Sequence, residues 1–237
     1  SGMDAMTGPW LLQEEHEGLT DAAASCGLQR FLDSGEPPVT VSWHSAMVRG
    51  HRPVSMLGQA LQALALAGKR GVVLGGWAKL HEVAQSLGPE RAELAAYAAE
   101  KVFFAPHFPH SWLLPRSCCL VHSGGAGSTQ AALRAGCPQV VTPTGFDQFH
   151  FSQRVMELQA GVGFTSPLPE IKPATLARAI TEAESMRPSL DLVARLRSER
   201  GVQSAADHVE KFLHGEVWTG KFERKWLAGK KLHSKQC

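Results

Sequence analysis

Short apolar runs alternate along this chain with stretches of helical periodicity. Val39-Thr40-Val41-Ser42-Trp43, the Val72-Val73-Leu74 run within Gly71 to Gly75, Lys101-Val102-Phe103-Phe104, Ser117 to Val121, and Pro138-Gln139-Val140-Val141-Thr142 are rich in β-branched or aromatic residues. Such runs predict strands buried on both faces. Leu57, Leu61 and Leu64 recur at helical spacing within 54–67. Further helices are expected over Leu28 to Asp33, 127–135, 147–160 and 173–213, the last broken near Pro188 and Gly201. Gly161 and Gly163 read as the stop of the 147–160 helix. This alternation predicts an α/β fold, a doubly wound parallel sheet with helices on both faces.

In that architecture ligands bind beyond the carboxyl ends of the strands. The unusual polar residues of the chain fall there: Ser42 to Ser45, Gly75 to Trp77, Pro106 to His110, His122 to Thr129, and Thr142 to Gln148. Five loops from five strand ends are expected to meet at one crevice. The most informative is His122-Ser123-Gly124-Gly125-Ala126-Gly127-Ser128-Thr129, a strand end, a glycine turn and a helix start. Glycines let backbone approach a ligand, and the first turn of a helix presents unpaired N–H groups to an anion. A phosphate-bearing ligand is therefore expected on Gly125, Ala126, Gly127, Ser128 and Thr129, with His122 donating to a phosphate oxygen. Three alternatives stay open: a tight turn without ligand, a core histidine with a local backbone partner, and plain helix capping by Ser128 and Thr129. The pattern is neither G-x-G-x-x-G nor a P-loop. Asp147 and Gln148 open the next helix. Asp accepts two hydrogen bonds and Gln both donates and accepts, which suits a polyhydroxylated ring; an N-cap is the other reading of Asp147. Phosphate and hydroxyl readers together point to a nucleotide sugar.

Composition narrows the field. A formal charge of +2 over 237 residues gives no reason to expect nucleic acid as a partner. None of the five cysteines forms a C-x-x-C pair, a usage that favours a reducing, cytoplasmic setting. His107 and His110 flank Pro109 without an acidic or thiol neighbour, so no metal site is expected, and no G-x-S-x-G elbow is present. Residues 1–27 read as an interdomain-type linker, 28–213 as a ligand-binding domain and 214–237 as a basic tail. Ser1-Gly2-Met3 looks like a cleavage scar, which would make the chain a fragment. In the tail, Trp218, Phe222 and Trp226 share one helical face among Lys221, Arg224, Lys225, Lys230 and Lys231. A basic amphipathic helix of this kind packs back on a domain, or lies on a membrane surface as a peripheral contact.

The run His122 to Thr129, followed by Arg134-Ala135-Gly136-Cys137-Pro138-Gln139-Val140-Val141, Gly145-Phe146-Asp147-Gln148-Phe149, and Arg154-Val155 with Glu157-Leu158, resembles the signature of UDP-glycosyltransferases of the two-domain GT-B fold. The resemblance is nearest to the sterol 3-beta-glucosyltransferase and antibiotic glycosyltransferase branch. Gly76-Trp77-Ala78 and the stretch Phe108 to Arg116 fit the same branch, and the likeness runs from about Trp10 to Leu213. It implies a Rossmann-like donor-binding half that holds a UDP-sugar, with UDP-glucose expected. By that likeness Ser42 lies in the first donor loop with His44 and Ser45, Phe108 offers backbone bonds to the uracil, and His107 lies near the base. His122 and Gly125 to Thr129 then hold the diphosphate, and Asp147 and Gln148 hold the sugar. The implied reaction is inversion at the anomeric carbon without a metal or cofactor, onto a sterol, lipid or other small hydroxyl acceptor. Two departures stand out. The family's first loop usually reads serine-phenylalanine-glycine-serine, whereas Ser42-Trp43-His44-Ser45 puts a histidine at the glycine. The acceptor domain and its general base have no counterpart here, so no catalytic residue is expected in this half, and the chain alone is expected to transfer nothing. The missing half would lie in cis or in a separate subunit. A non-catalytic nucleotide-sugar-binding domain is the competing reading, and UDP-sugar epimerases share the architecture but need both halves and a different acidic set.

Overall fold

The apolar runs assemble into one parallel sheet. The computed structural model describes residues 7–10, 22–43, 52–87 and 91–233. In chain order these hold α1 (Ala22–Asp33), β1 (Val39–Ser42), α2 (Pro53–Leu66), β2 (Gly71–Leu74), α3 (Leu80–Val83), α4 (Ala92–Lys101), β3 (Val102–Ala105), α5 (His110–Leu113), β4 (Cys119–His122), α6 (Ala126–Ala135) and β5 (Gln139–Val141). They continue with α7 (Gln148–Glu157), β6 (Gly161–Gly163), α8 (Pro173–Glu184), α9 (Leu190–Ser198), α10 (Gly201–Phe212) and α11 (Lys221–His233). The strand order is β3-β2-β1-β4-β5-β6, with every pairing parallel. Sequence order therefore reverses between β1 and β4, which makes their carboxyl ends the switch point of the sheet.

Strand alternation divides the core. Val39, Val41, Val73, Cys119 and Val121 pack with Leu57, Leu61 and Leu64 of α2 and Leu176 and Ile180 of α8. On the other face Val72 and Leu74 meet Leu28, Phe108 and Leu113, Leu120 meets Leu114 and Ala132, and Val141 meets Leu133 and Val155. Both faces are thus covered by helices, as the sequence predicts. Each fully buried leucine contributes about 1.5–3 kcal/mol to this burial.

The structure adds helices α3, α4 and α5, which the sequence reading does not include, and two of the elements it does include differ. α1 begins at Ala22 instead of Leu28. Gly161 and Gly163, expected to stop a helix, form strand β6. A Cβ on Gly161 would lie 1.9 Å from the Gln139 carbonyl oxygen, and one on Gly163 would lie 2.4 Å from that of Ser152. Only glycines let this edge strand press so closely on β5 and α7.

The chain divides into two compact units, Glu15–Arg197, which carries the sheet, and a second made of Ser1–Glu14 with Ser198–Cys237. In the second, Gly201 lies under Pro9, and α10 passes through a π-helical turn at Leu213–Val217 before α11. Phe222 packs edge-on against Phe212 at 5.6 Å, while Trp218 and Trp226 remain 66% and 52% exposed. Among the described residues no helix is long and apolar enough to cross a membrane.

Candidate functional site

The site is built on the switch point. Ser42 of β1 sits beside His122 of β4 in register, and His122 sits beside Val141 of β5. The residues that follow lock these three strand ends together. Trp43 Nε1 donates to Thr142 Oγ1 at 2.9 Å, Thr142 Oγ1 donates to the His122 carbonyl at 3.1 Å, and the Thr142 N–H donates to the same carbonyl at 2.8 Å. A fourth element joins through His110, whose Nε2 lies 3.4 Å from the buried Ser42 hydroxyl.

The imidazole of His122 is fully buried, with both nitrogens engaged. Nδ1 accepts the Gly124 N–H at 3.1 Å, which assigns the proton to Nε2, and Nε2 donates to Gln139 Oε1 at 2.9 Å. Burial, only partly offset by the Gln139 bond, pushes the ring pKa down to about 4. The ring is therefore neutral at pH 7 and turned into the core, the arrangement of the core-histidine alternative. The expected donation to a phosphate oxygen has no free ring nitrogen to make it; the ring instead fixes the glycine turn from below.

The turn separates structural from open glycines. Gly124 has φ +90°, and a Cβ there would meet Val141 Cγ1 at 2.7 Å and the Gln148 carbonyl oxygen at 2.9 Å. That close approach seats the turn directly against the start of α7. Cβ atoms at Gly125 and Gly127 would meet nothing within 4 Å, so protein packing does not demand glycine at either position. Gly125 is the N-cap of α6 and no side chain caps the helix, so Ser128 and Thr129 do not act as caps. The buried Thr129 hydroxyl donates back to the Gly125 carbonyl at 3.0 Å, which removes it as a donor to a ligand. What remains is the first-turn backbone of Ala126 and Gly127, both exposed, and of Ser128.

Asp147 precedes α7, stands exposed and makes no capping bond. The Gln148 amide oxygen is taken by the Thr144 N–H at 2.7 Å and the Thr144 hydroxyl at 2.8 Å. Its amide nitrogen has no partner among the described residues, so the pair offers an acceptor at 147 and a donor at 148. The Phe108 ring is buried against Trp112, with centroids 5.2 Å apart, while its main-chain N–H and C=O make no hydrogen bond among the described residues. His107 is exposed beside it. His44 and Ser45 lie outside the described residues. The loops at 42, 108, 122 and 147 thus share one sheet edge. Two hollows lie away from it, one between α2 and α8 at Leu66 and Thr181, the other at the amino edge of the sheet beside Glu36, Cys137 and Arg187. Among the described residues no three His, Cys, Asp or Glu side chains gather as a metal site.

Sequence reasoning placed His110 and Thr142 in the loops of this edge, but missed Gln139, which supports His122 from the start of β5. Gln139 had a visible mark, a lone amide inside an apolar strand run.

Residues 73–214 match the family described as "Erythromycin biosynthesis protein CIII-like, C-terminal domain". The chain is 30% identical over 190 residues to a sterol 3-beta-glucosyltransferase of Arabidopsis thaliana, a match covering 79% of this chain and 29% of the relative. It is 33% identical over 182 residues to a vancomycin aglycone glucosyltransferase of Amycolatopsis orientalis, covering 76% and 39% respectively. The chain thus spans well under half the length of these relatives. Among solved structures it is similar to a glycotransferase of kitacinnamycin, with TM-score 0.61, 23% identity, and 87% of this chain covered against 48% of that one. It is also similar to Os79 from O. sativa in complex with UDP, with TM-score 0.58, 20% identity, and coverage of 78% and 43%. These likenesses share the Rossmann-like half of the glycosyltransferase fold.

Proposed function

We propose, from the premise that this chain belongs to the erythromycin biosynthesis protein CIII-like C-terminal domain family, that it is the donor-binding half of an inverting glycosyltransferase. It holds a UDP-sugar, with glucose as the hexose, for transfer to a sterol, lipid or other small hydroxyl acceptor. The observation that carries this reading is the glycine turn at the switch point, with open space over Gly125 and Gly127 and its Gly124 packed against Gln148. A diphosphate fits the free amides of Ala126, Gly127 and Ser128, the uracil fits the unpaired main chain of Phe108 beside His107, and the sugar hydroxyls fit Asp147 and Gln148.

In this reading an acceptor oxygen forms the new bond to the anomeric carbon as the bond to the β-phosphate oxygen breaks. The electron pair leaves on UDP, where fixed N–H groups stabilise the developing charge. The acceptor's proton goes to a base in another domain or subunit. This chain alone then binds donor and transfers nothing. Calorimetric titration is expected to give UDP and UDP-glucose dissociation constants weaker than about 10 μM, corresponding to about 7 kcal/mol or less, because one wall of the crevice is absent. Absence of heat at millimolar ligand contradicts donor binding, and turnover of an added alcohol by the isolated chain contradicts the half-enzyme account.

The exposed Trp218 and Trp226 beside Lys221, Arg224 and Lys225 support a peripheral contact of α11 with an anionic bilayer. Co-sedimentation with vesicles rich in phosphatidylserine is expected, and is expected to be lost when Trp218 and Trp226 are both changed to Ala; equal retention of the double variant contradicts the contact.

A further inference from the structure

Phe146 carries two costs at once. Its backbone is left-handed, with φ +54°, a conformation that disfavours a bulky side chain. Its ring is 99% exposed, the most exposed of the large apolar side chains among the described residues. Only two other non-glycine residues among those described share such a φ, Lys79 and Gln159, and both carry polar side chains that water solvates. Gln159 also follows the end of α7, where left-handed residues are common. Phe146 has neither excuse, and Gly145 beside it has open space around it. Strain kept at a site points to a use there.

Its neighbours say what that use is. Asp147 and the free amide of Gln148 follow immediately, an acceptor and a donor for hydroxyl groups. A hexose has two unlike aspects, a rim of hydroxyls and a face of C–H groups. Polar groups read the rim, and a flat apolar ring covers the face. An exposed ring next to a hydroxyl-reading pair supplies both. We propose that Phe146 is the platform for the C–H face of the donor hexose, a role that rests on the donor-site reading above. The ring then recovers on binding the burial it lacks in the free chain.

The test uses the full chain, with UDP and UDP-glucose titrated separately. Phe146→Gly removes the ring and relieves the left-handed backbone, since glycine adopts that φ freely. It is expected to melt no lower than the parent. Its UDP affinity is expected to stay unchanged, while its UDP-glucose affinity falls about three- to ten-fold, as loss of one aromatic contact would give. Phe146→Tyr is expected to retain both affinities. If the parent binds neither ligand, the donor reading fails and the platform with it. If the parent binds both and Phe146→Gly keeps the same ratio of the two affinities, or loses both equally, the platform is wrong while the donor reading stands.

Discussion

Gly124→Ala is expected to cost about 3 kcal/mol or more of stability and to abolish UDP binding, whereas Gly127→Ala, three residues on, is expected to leave the fold intact and weaken UDP binding ten- to hundred-fold. The first expectation follows from two penalties. At φ +90° an alanine is strained by about 1–3 kcal/mol. Its Cβ would also stand 2.7 Å from Val141 and 2.9 Å from a backbone oxygen of α7, an overpacking worth about 1–3 kcal/mol more. Against a total stability of about 5–15 kcal/mol, that is a large fraction. At Gly127 the added methyl meets no protein atom within 4 Å, and in the first turn of α6 alanine favours the helix by up to about 1 kcal/mol. The methyl instead occupies the approach of the ligand. Displacing one charge-assisted hydrogen bond costs about 1.5–3 kcal/mol, which is the stated loss of affinity. Urea unfolding and calorimetry on the two variants check both halves. Equal stability of the two variants, or undiminished UDP binding by Gly127→Ala, would contradict the division between a packing glycine and a ligand glycine.

Stability is expected to fall by about 3 kcal/mol between pH 7 and pH 4 on account of His122 alone. The folded ring titrates at about 4, below the ordinary histidine value near 6.5, so the unfolded chain takes up the proton first. The contribution is complete above pH 6.5 and is lost as the pH falls towards 4. Its cause is burial: protonation places a charge in the core and puts a proton on Nδ1, which breaks the bond from Gly124. Because other groups titrate in the same range, the readout is the difference between the parent chain and His122→Asn. The parent's stability should drop about 3 kcal/mol more over this interval, and parallel curves would remove the buried neutral ring from the account. For the proposed donor site, the consequence is that a diphosphate would draw on amide dipoles and not on an imidazolium beneath them.

Much of this was legible in the chain. Strands β1 to β5 announce themselves as short β-branched runs, and their polar ends mark one edge of the sheet because a parallel sheet puts all carboxyl ends together. β6 was not legible, because Gly161-Val162-Gly163 has no strand propensity of its own and forms a strand only through close approach to Gln139 and Ser152. The direction of His122 was hidden for a different reason. A histidine at a strand end faces crevice or core according to its neighbours, and here Gln139, on the next strand and the same face, draws the ring inward. Phe108 shows the same limit: its position is set by the motif, but Trp112 and the core around Leu28 decide that the ring is buried and only its backbone is offered. Phe146 gave no sign in sequence, since its left-handed backbone is a property of the folded turn.

The most direct test of the donor crevice is amide chemical-shift mapping of the isotopically labelled chain with UDP. The account predicts that the largest shifts fall on Gly125, Ala126, Gly127 and Ser128, with Phe108, Asp147 and Gln148 responding at the same ligand concentrations and the amino edge around Glu36 and Cys137 silent. Shifts led by that opposite edge, or none at millimolar UDP, would contradict it.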